Sequence, residues 1–106
     1  MSYTGDEIHS ISLKDAAALT KRYRDQFSVE TPYIKGEYFG KTALLSLLSQ
    51  TGCVGTRIYY GLKADDTQCL VLVGVDGDGN DMTTGDIMEY GLPCPAQCSE
   101  ANDLNS

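Results

Sequence analysis

C-V-G-T-R-I-Y-Y-G-L at residues 53–62 and Q-C-L-V-L-V-G-V-D at residues 68–76 are the two stretches that decide the fold. Both are rich in β-branched and aromatic residues, and Asp65-Asp66 lies between them as a turn, so they predict an antiparallel hairpin. With that pair at the turn centre, Leu62 faces Cys69, Tyr60 faces Val71, Ile58 faces Val73 and Thr56 faces Val75. Opposed residues share a sheet face, so one face is almost wholly apolar. The other pairs Gly61 with Leu70, Tyr59 with Leu72, Arg57 with Gly74 and Gly55 with Asp76. It is apolar in patches, so both faces want cover.

Upstream of the hairpin the pattern is helical. Ser12 stands where an N-cap belongs, and Asp15 is a weaker version of the capping-box acid. Leu13, Ala16, Ala17, Thr20, Tyr23 and Phe27 then recur at helical spacing. Thr31-Pro32 places a break at residues 28–32, because proline disfavours helical geometry in the residue before it. A second helix is expected over residues 37–50, carrying Tyr38, Leu44, Leu45, Leu47 and Leu48 and closed by a left-handed Gly52. Gly40 inside it costs ~1 kcal/mol relative to alanine, which implies a closely packed neighbour. Downstream, Gly77-Asp78-Gly79 forms a tight turn from which residues 80–83 return as a short third strand. Residues 85–93 carry no decisive pattern.

These elements make one α+β domain: a polar arm (1–11), a core (12–92) of two N-terminal helices packed on a small antiparallel sheet, and a Pro/Cys tail (93–106). A chain of 106 residues fits a single domain. At 42% hydrophobic it is too apolar for a disordered chain, and no run reaches the ~18 apolar residues of a membrane span. The net charge of −7 repels phosphate backbones and anionic lipid, so no nucleic-acid or membrane partner is expected. The first residues lack the basic and apolar regions of a secretory signal, which points to the cytoplasm and to reduced thiols.

Several motifs fail on spacing. Gly40-Lys41-Thr42 resembles the end of a phosphate-binding loop, but Lys35 stands where the first glycine belongs and the segment reads as helix interior. Asp76 to Asn80 alternates oxygen ligands as a calcium loop does. However, Asp81 replaces the required glycine and Ile87 the bidentate glutamate, so a hairpin turn is the better reading. His9, the single histidine, sits in the polar arm without a nucleophile beside it. Asp65-Asp66 and the Asp86/Glu89 pair read as solvated charge, since catalytic carboxylates need burial or a close like charge.

Two constellations remain. Arg57 lies mid-strand opposite Gly74, with Gly55 and Gly61 on its face, and the missing side chains leave a floor for a small anionic ligand. The competing reading is an ion pair to Asp76 or to a helix acid, and it is preferred. Pro93-Cys94-Pro95-Ala96-Gln97-Cys98 is the segment with intrinsic chemistry. With Cys94 as an N-cap and Pro95 at the first helical position, both sulfurs fall on one helical face, where a helix N-terminus favours thiolate. As a zinc site the pair supplies two of the four ligands, the others coming from a symmetry mate. Cys53 and Cys69 are far out of register within the hairpin and are not expected to pair.

The Gly52-Cys53-Val54-Gly55 and Arg57-Ile58-Tyr59-Tyr60 runs, the 70–76 strand, Gly79-Asn80-Asp81 and the closing Pro93-Cys94-Pro95…Cys98 resemble a group of small uncharacterised bacterial proteins. They share two N-terminal helices, a β-hairpin and a P-C-P-x-x-C tail. The likeness covers about residues 12–106 and implies a folded module without implying a reaction. Ala96 departs from the proline expected there, leaving the loop less rigid.

With no complete catalytic set, the leading expectation is a non-enzymatic homo-oligomeric module, most simply a two-fold homodimer, that binds a partner protein or small anionic ligand. Arg57, Gly74 and Asp76 are its candidate binding residues. The alternative is a thiol redox or zinc-binding protein using Cys94 and Cys98. No catalytic residue and no cofactor other than that zinc is expected.

Overall fold

A computed structural model describes residues 2–27 and 33–105, so the break expected at residues 28–32 lies outside the described residues. The elements are α1 (Leu13–Phe27), β1 (Gly36–Tyr38), α2 (Lys41–Leu48), β2 (Cys53–Leu62), β3 (Gln68–Asp76), β4 (Ile87–Met88) and β5 (Leu92–Cys94). The chain is α+β, as its patterning predicts. β3 is the middle of an antiparallel sheet ordered β2-β3-β4, and β1 pairs with β5 in a separate two-stranded sheet.

The hairpin forms over the expected residues, but its register is one residue away from the expected one. Leu62 pairs with Gln68, Tyr60 with Leu70, Ile58 with Leu72 and Arg57 with Val73. The cause is the connection. Lys63 N–H donates to the Thr67 carbonyl (2.9 Å), Asp66 N–H donates to the Lys63 carbonyl (2.9 Å), and Asp66 has φ 67°. This is a three-residue loop with a left-handed third position, not a two-residue turn centred on the Asp pair. An odd loop exchanges which residues of β3 share a face with which residues of β2. A bulge between Cys53 and Gly55 shifts the register once more at the far end.

Both faces of β3 are buried. Leu72 is 3% exposed on one face, and Val73 and Val75 are 4% exposed on the other. Over the first face lies the end of α2, where Leu47 is fully buried and the Gln50 amide sits 2.8 Å from where a Gly74 Cβ would be. On the second face the N-terminal arm is fixed by Tyr3 N–H donating to the Gly77 carbonyl (2.8 Å).

α1 spans the expected residues, and Ser12 Oγ accepts the Asp15 N–H (3.0 Å) as its cap. None of its residues is buried. It is anchored by Tyr23, whose ring lies 6.0 Å from that of Tyr33 and whose hydroxyl donates to the Ile34 carbonyl (3.1 Å). The second helix is shorter than expected. Residues 36–38 are strand, and Gly40 is an extended N-cap (φ −68°, ψ 149°), not a helix interior. A Cβ on Gly40 would meet nothing within 4 Å, so no close neighbour requires glycine there. The third strand is β4, pairing Met88 with Leu72 and Ile87 with Val73, while residues 80–83 contribute one bridge, Asp81 to Val75.

Candidate functional site

The register change relocates the first candidate set. Arg57 opposes Val73, whereas Gly74 opposes Thr56 and faces away from the guanidinium. Gly74 is lined by Gln50, Cys53 and Met82, which leaves no open floor. Asp76 does not pair with Arg57. Its carboxylate accepts the N–H groups of Asp78 and Asn80 (3.0 Å each), the side-chain turn that aspartate makes with its own backbone. Arg57, Gly74 and Asp76 therefore do not converge, and the calcium-like run is a turn.

Arg57 instead binds Asp81 (Nη1 to Oδ1, 2.6 Å) and donates to the Gly79 carbonyl (3.1 Å). The Tyr59 hydroxyl donates to the other Asp81 oxygen, and the Tyr3 ring lies 5.9 Å beneath the guanidinium carbon. The Tyr59 hydroxyl first, and Arg57 after it, hold the Asp81 carboxyl below the usual aspartate range. The same carboxylate raises the Tyr59 phenol and the Arg57 guanidinium above their ordinary values. Arg57 Nη1 and the Tyr59 hydroxyl are both engaged, and the group ties arm, turn and strand together. The sequence pattern anticipates an ion pair for Arg57, with Asp76 or a helix acid as its partner; the partner is Asp81, from the segment after the Gly79 turn.

The tail is not helical after Pro93. Cys94 belongs to β5, opposite Gly36, and is joined to Cys98 by a disulfide with a Cα–Cα distance of 4.7 Å. Two sulfurs bonded to each other do not ligate a metal, and among the described residues no three His, Cys, Asp or Glu side chains gather as a metal site. Cys53 and Cys69 are free. His9 is exposed on the arm.

Two features escaped the sequence reading. β2 is an edge of its sheet over ten residues, and on one face it exposes Ile58 (49%), Tyr60 (92%) and Leu62 (69%). Alternation along residues 58–62 signalled that row, but not which side of the strand stays unpaired. The second feature is a cavity of about 690 Å³ between α1, residues 34–37, the Leu62 end of the hairpin and Leu104. Its surface is mostly apolar, with Tyr23 and Gln68 in contact beside it and Arg24, Lys35 and Glu37 as the charged residues among its described lining. It joins segments far apart in sequence, so no local pattern announces it. Among the described residues no helix is long and apolar enough to cross a membrane.

Comparison of the chain with protein-family models, with curated proteins and with solved structures finds no match.

Proposed function

We propose that this chain is a non-enzymatic cytoplasmic binding module that works as a two-fold homodimer, with β2 pairing antiparallel to β2 of a second copy. The observation that carries the reading is the uncovered edge. Edge strands of monomers are blunted by lysine, proline, bulges or brevity; β2 has its bulge between Cys53 and Gly55, yet from Thr56 to Leu62 it is regular, has no proline or acid, and carries one cation already engaged by Asp81. The whole chain bears a net charge of −7 and β2 holds none of its acids, so this edge is where two copies approach with least repulsion.

The total exposed area leaves room for such an interface. The surface is 7752 Å², against about 5,800 Å² for a compact monomer of this mass. The excess is more than the ~800 Å² per partner that a standard interface removes. Light scattering should give a mass of twice 11.5 kDa. Ile58→Lys, which sets like charges across the two-fold seam, should weaken association by about a hundredfold or more. A wild-type protein that stays at 11.5 kDa at every concentration tried overturns the dimer.

The Cys94–Cys98 disulfide favours a second reading, thiol exchange. An external dithiol attacks one sulfur, forming a mixed disulfide, and its second thiolate releases the reduced pair while the external dithiol becomes a disulfide. Alkylation of Cys94 and Cys98 after equilibration in glutathione buffers tests it. A pair that stays oxidised across the cytosolic range removes the exchange reading, and with it zinc binding by the reduced thiols.

A further inference from the structure

We infer that Cys98 is the sulfur of the Cys94–Cys98 disulfide that takes up an external thiol, and that Cys94 is the sulfur released. This assignment rests on the thiol-exchange reading and gives it a direction. It makes Cys98 a mixed-disulfide site for a small aliphatic thiol such as glutathione, with Cys94 as the thiol that closes the pair again.

The two sulfurs are bonded to each other but differ in what surrounds them. Cys94 ends β5 opposite Gly36, its carbonyl accepts the Lys35 N–H (2.6 Å), and it is half-buried. The chain before it leads inwards. Pro93 is half-buried, and Gly91 is buried, with the Glu37 carboxylate and the Phe39 ring where its Cβ would be. From Pro95 to Leu104, by contrast, every residue is exposed, Cys98 among them. Gln97 N–H donates to the Pro93 carbonyl (2.8 Å) and Cys98 N–H to the Ala96 carbonyl (3.1 Å), so the loop turns back on itself outside the sheet. Cys94 is thus tied to a strand, and Cys98 is carried on the solvent side of it.

That asymmetry decides the attack, because exchange depends on which sulfur a thiolate can reach. The thiolate approaches its target in line with the S–S bond, from the side remote from the leaving sulfur. For Cys98 that is the side away from the strand; for Cys94 it is the side of the half-buried strand itself. The thiolate sulfur bonds to Cys98 Sγ as the Sγ–Sγ bond breaks, and the electron pair of that bond leaves on Cys94 as a thiolate. In reverse, Cys94 attacks Cys98 Sγ and expels the external thiolate. A second external thiolate that attacks the first one's sulfur leaves with it as a disulfide and frees Cys98, so two external thiols are oxidised as the pair is reduced.

The test is peptide mapping by mass spectrometry of the oxidised full chain, exposed briefly to excess glutathione and quenched in acid. Glutathione is expected on Cys98, with Cys94 as the free thiol, in about tenfold or greater excess over the reverse pattern. This measurement uses the intact chain, so it does not depend on how a variant folds. In Cys94→Ser and in Cys98→Ser, the surviving thiol is charged with glutathione and its release by dithiothreitol is timed, Cys53 and Cys69 being separated by the same mapping. Release should be about tenfold faster from Cys98 than from Cys94, and the two rates should converge in concentrated urea, where strand and loop no longer differ. Equal labelling of the two sulfurs, a preference for Cys94, or a difference that persists in urea overturns the assignment. A pair that stays oxidised at equilibrium in glutathione buffers removes the thiol-exchange reading instead, and the folded-state rates of the two variants still report which sulfur is reached.

Discussion

Asp81 ties two residues of β2 to the turn, because it holds Arg57 and Tyr59 at once. Its carboxyl is lowered in the folded state, so the stability it contributes is present above the ordinary aspartate value and lost as pH falls through its folded value. Tyr59 is raised by the same contact, so its contribution is present below the ordinary tyrosine value and lost as pH rises through its folded one. Asp81→Asn should therefore lower stability at neutral pH and flatten both the acid and the alkaline limbs of a urea-midpoint profile. Limbs identical to wild type would refute this coupling. Gly79 is the second residue whose identity is dictated. It has φ +83°, and a Cβ there would fall 2.4 Å from the Tyr3 ring. Gly79→Ala should cost at least ~1–2 kcal/mol from the backbone alone, read by urea denaturation, and release the arm from its turn.

Among the elements, those that were legible carry their own pattern. α1 was readable from Ser12 to Phe27 because its cap and its apolar spacing are local. β2 and β3 were readable because ten- and nine-residue runs of β-formers leave little choice. Their register was not, because it depends on one backbone angle at Asp66, and Asp65-Asp66 is as compatible with a two-residue turn as with the loop that forms. Asp66→Gly relieves that left-handed position and should stabilise the hairpin by about 1 kcal/mol, measured as a shift of the urea midpoint without a change in slope. β1 and β5 were illegible for a different reason. Each is three residues long, and Pro93 argues against strand unless it lies in a small edge sheet, as it does opposite Glu37. Their existence is a property of the pair. The candidate sites inherited these errors: Arg57 was rightly given an ion-pair partner, while Gly74 and Asp76 were placed beside it by a register the loop does not allow.

At the scale of the whole molecule, what stands out is how little is buried. Among the described residues five hydrophobic side chains are buried, and of these Leu47 is buried completely. The radius of gyration is 15.4 Å, against about 13 Å for a compact domain of this length. Such a core stabilises weakly, so any stability gained from a partner copy forms a large share of the total. Folding coupled to dimerisation has a concentration signature: each tenfold rise in protein adds about 1.4 kcal/mol of stability per dimer. The thermal midpoint should then climb with concentration for the wild type and stay fixed for Ile58→Lys, whose midpoint should match that of the wild type at high dilution. Scanning calorimetry over a hundredfold range of concentration measures both curves. A wild-type midpoint that does not move, together with a normal midpoint for Ile58→Lys, would mean that the sheet and Leu47 hold the chain alone. The bare edge of β2 would then contribute nothing to folding.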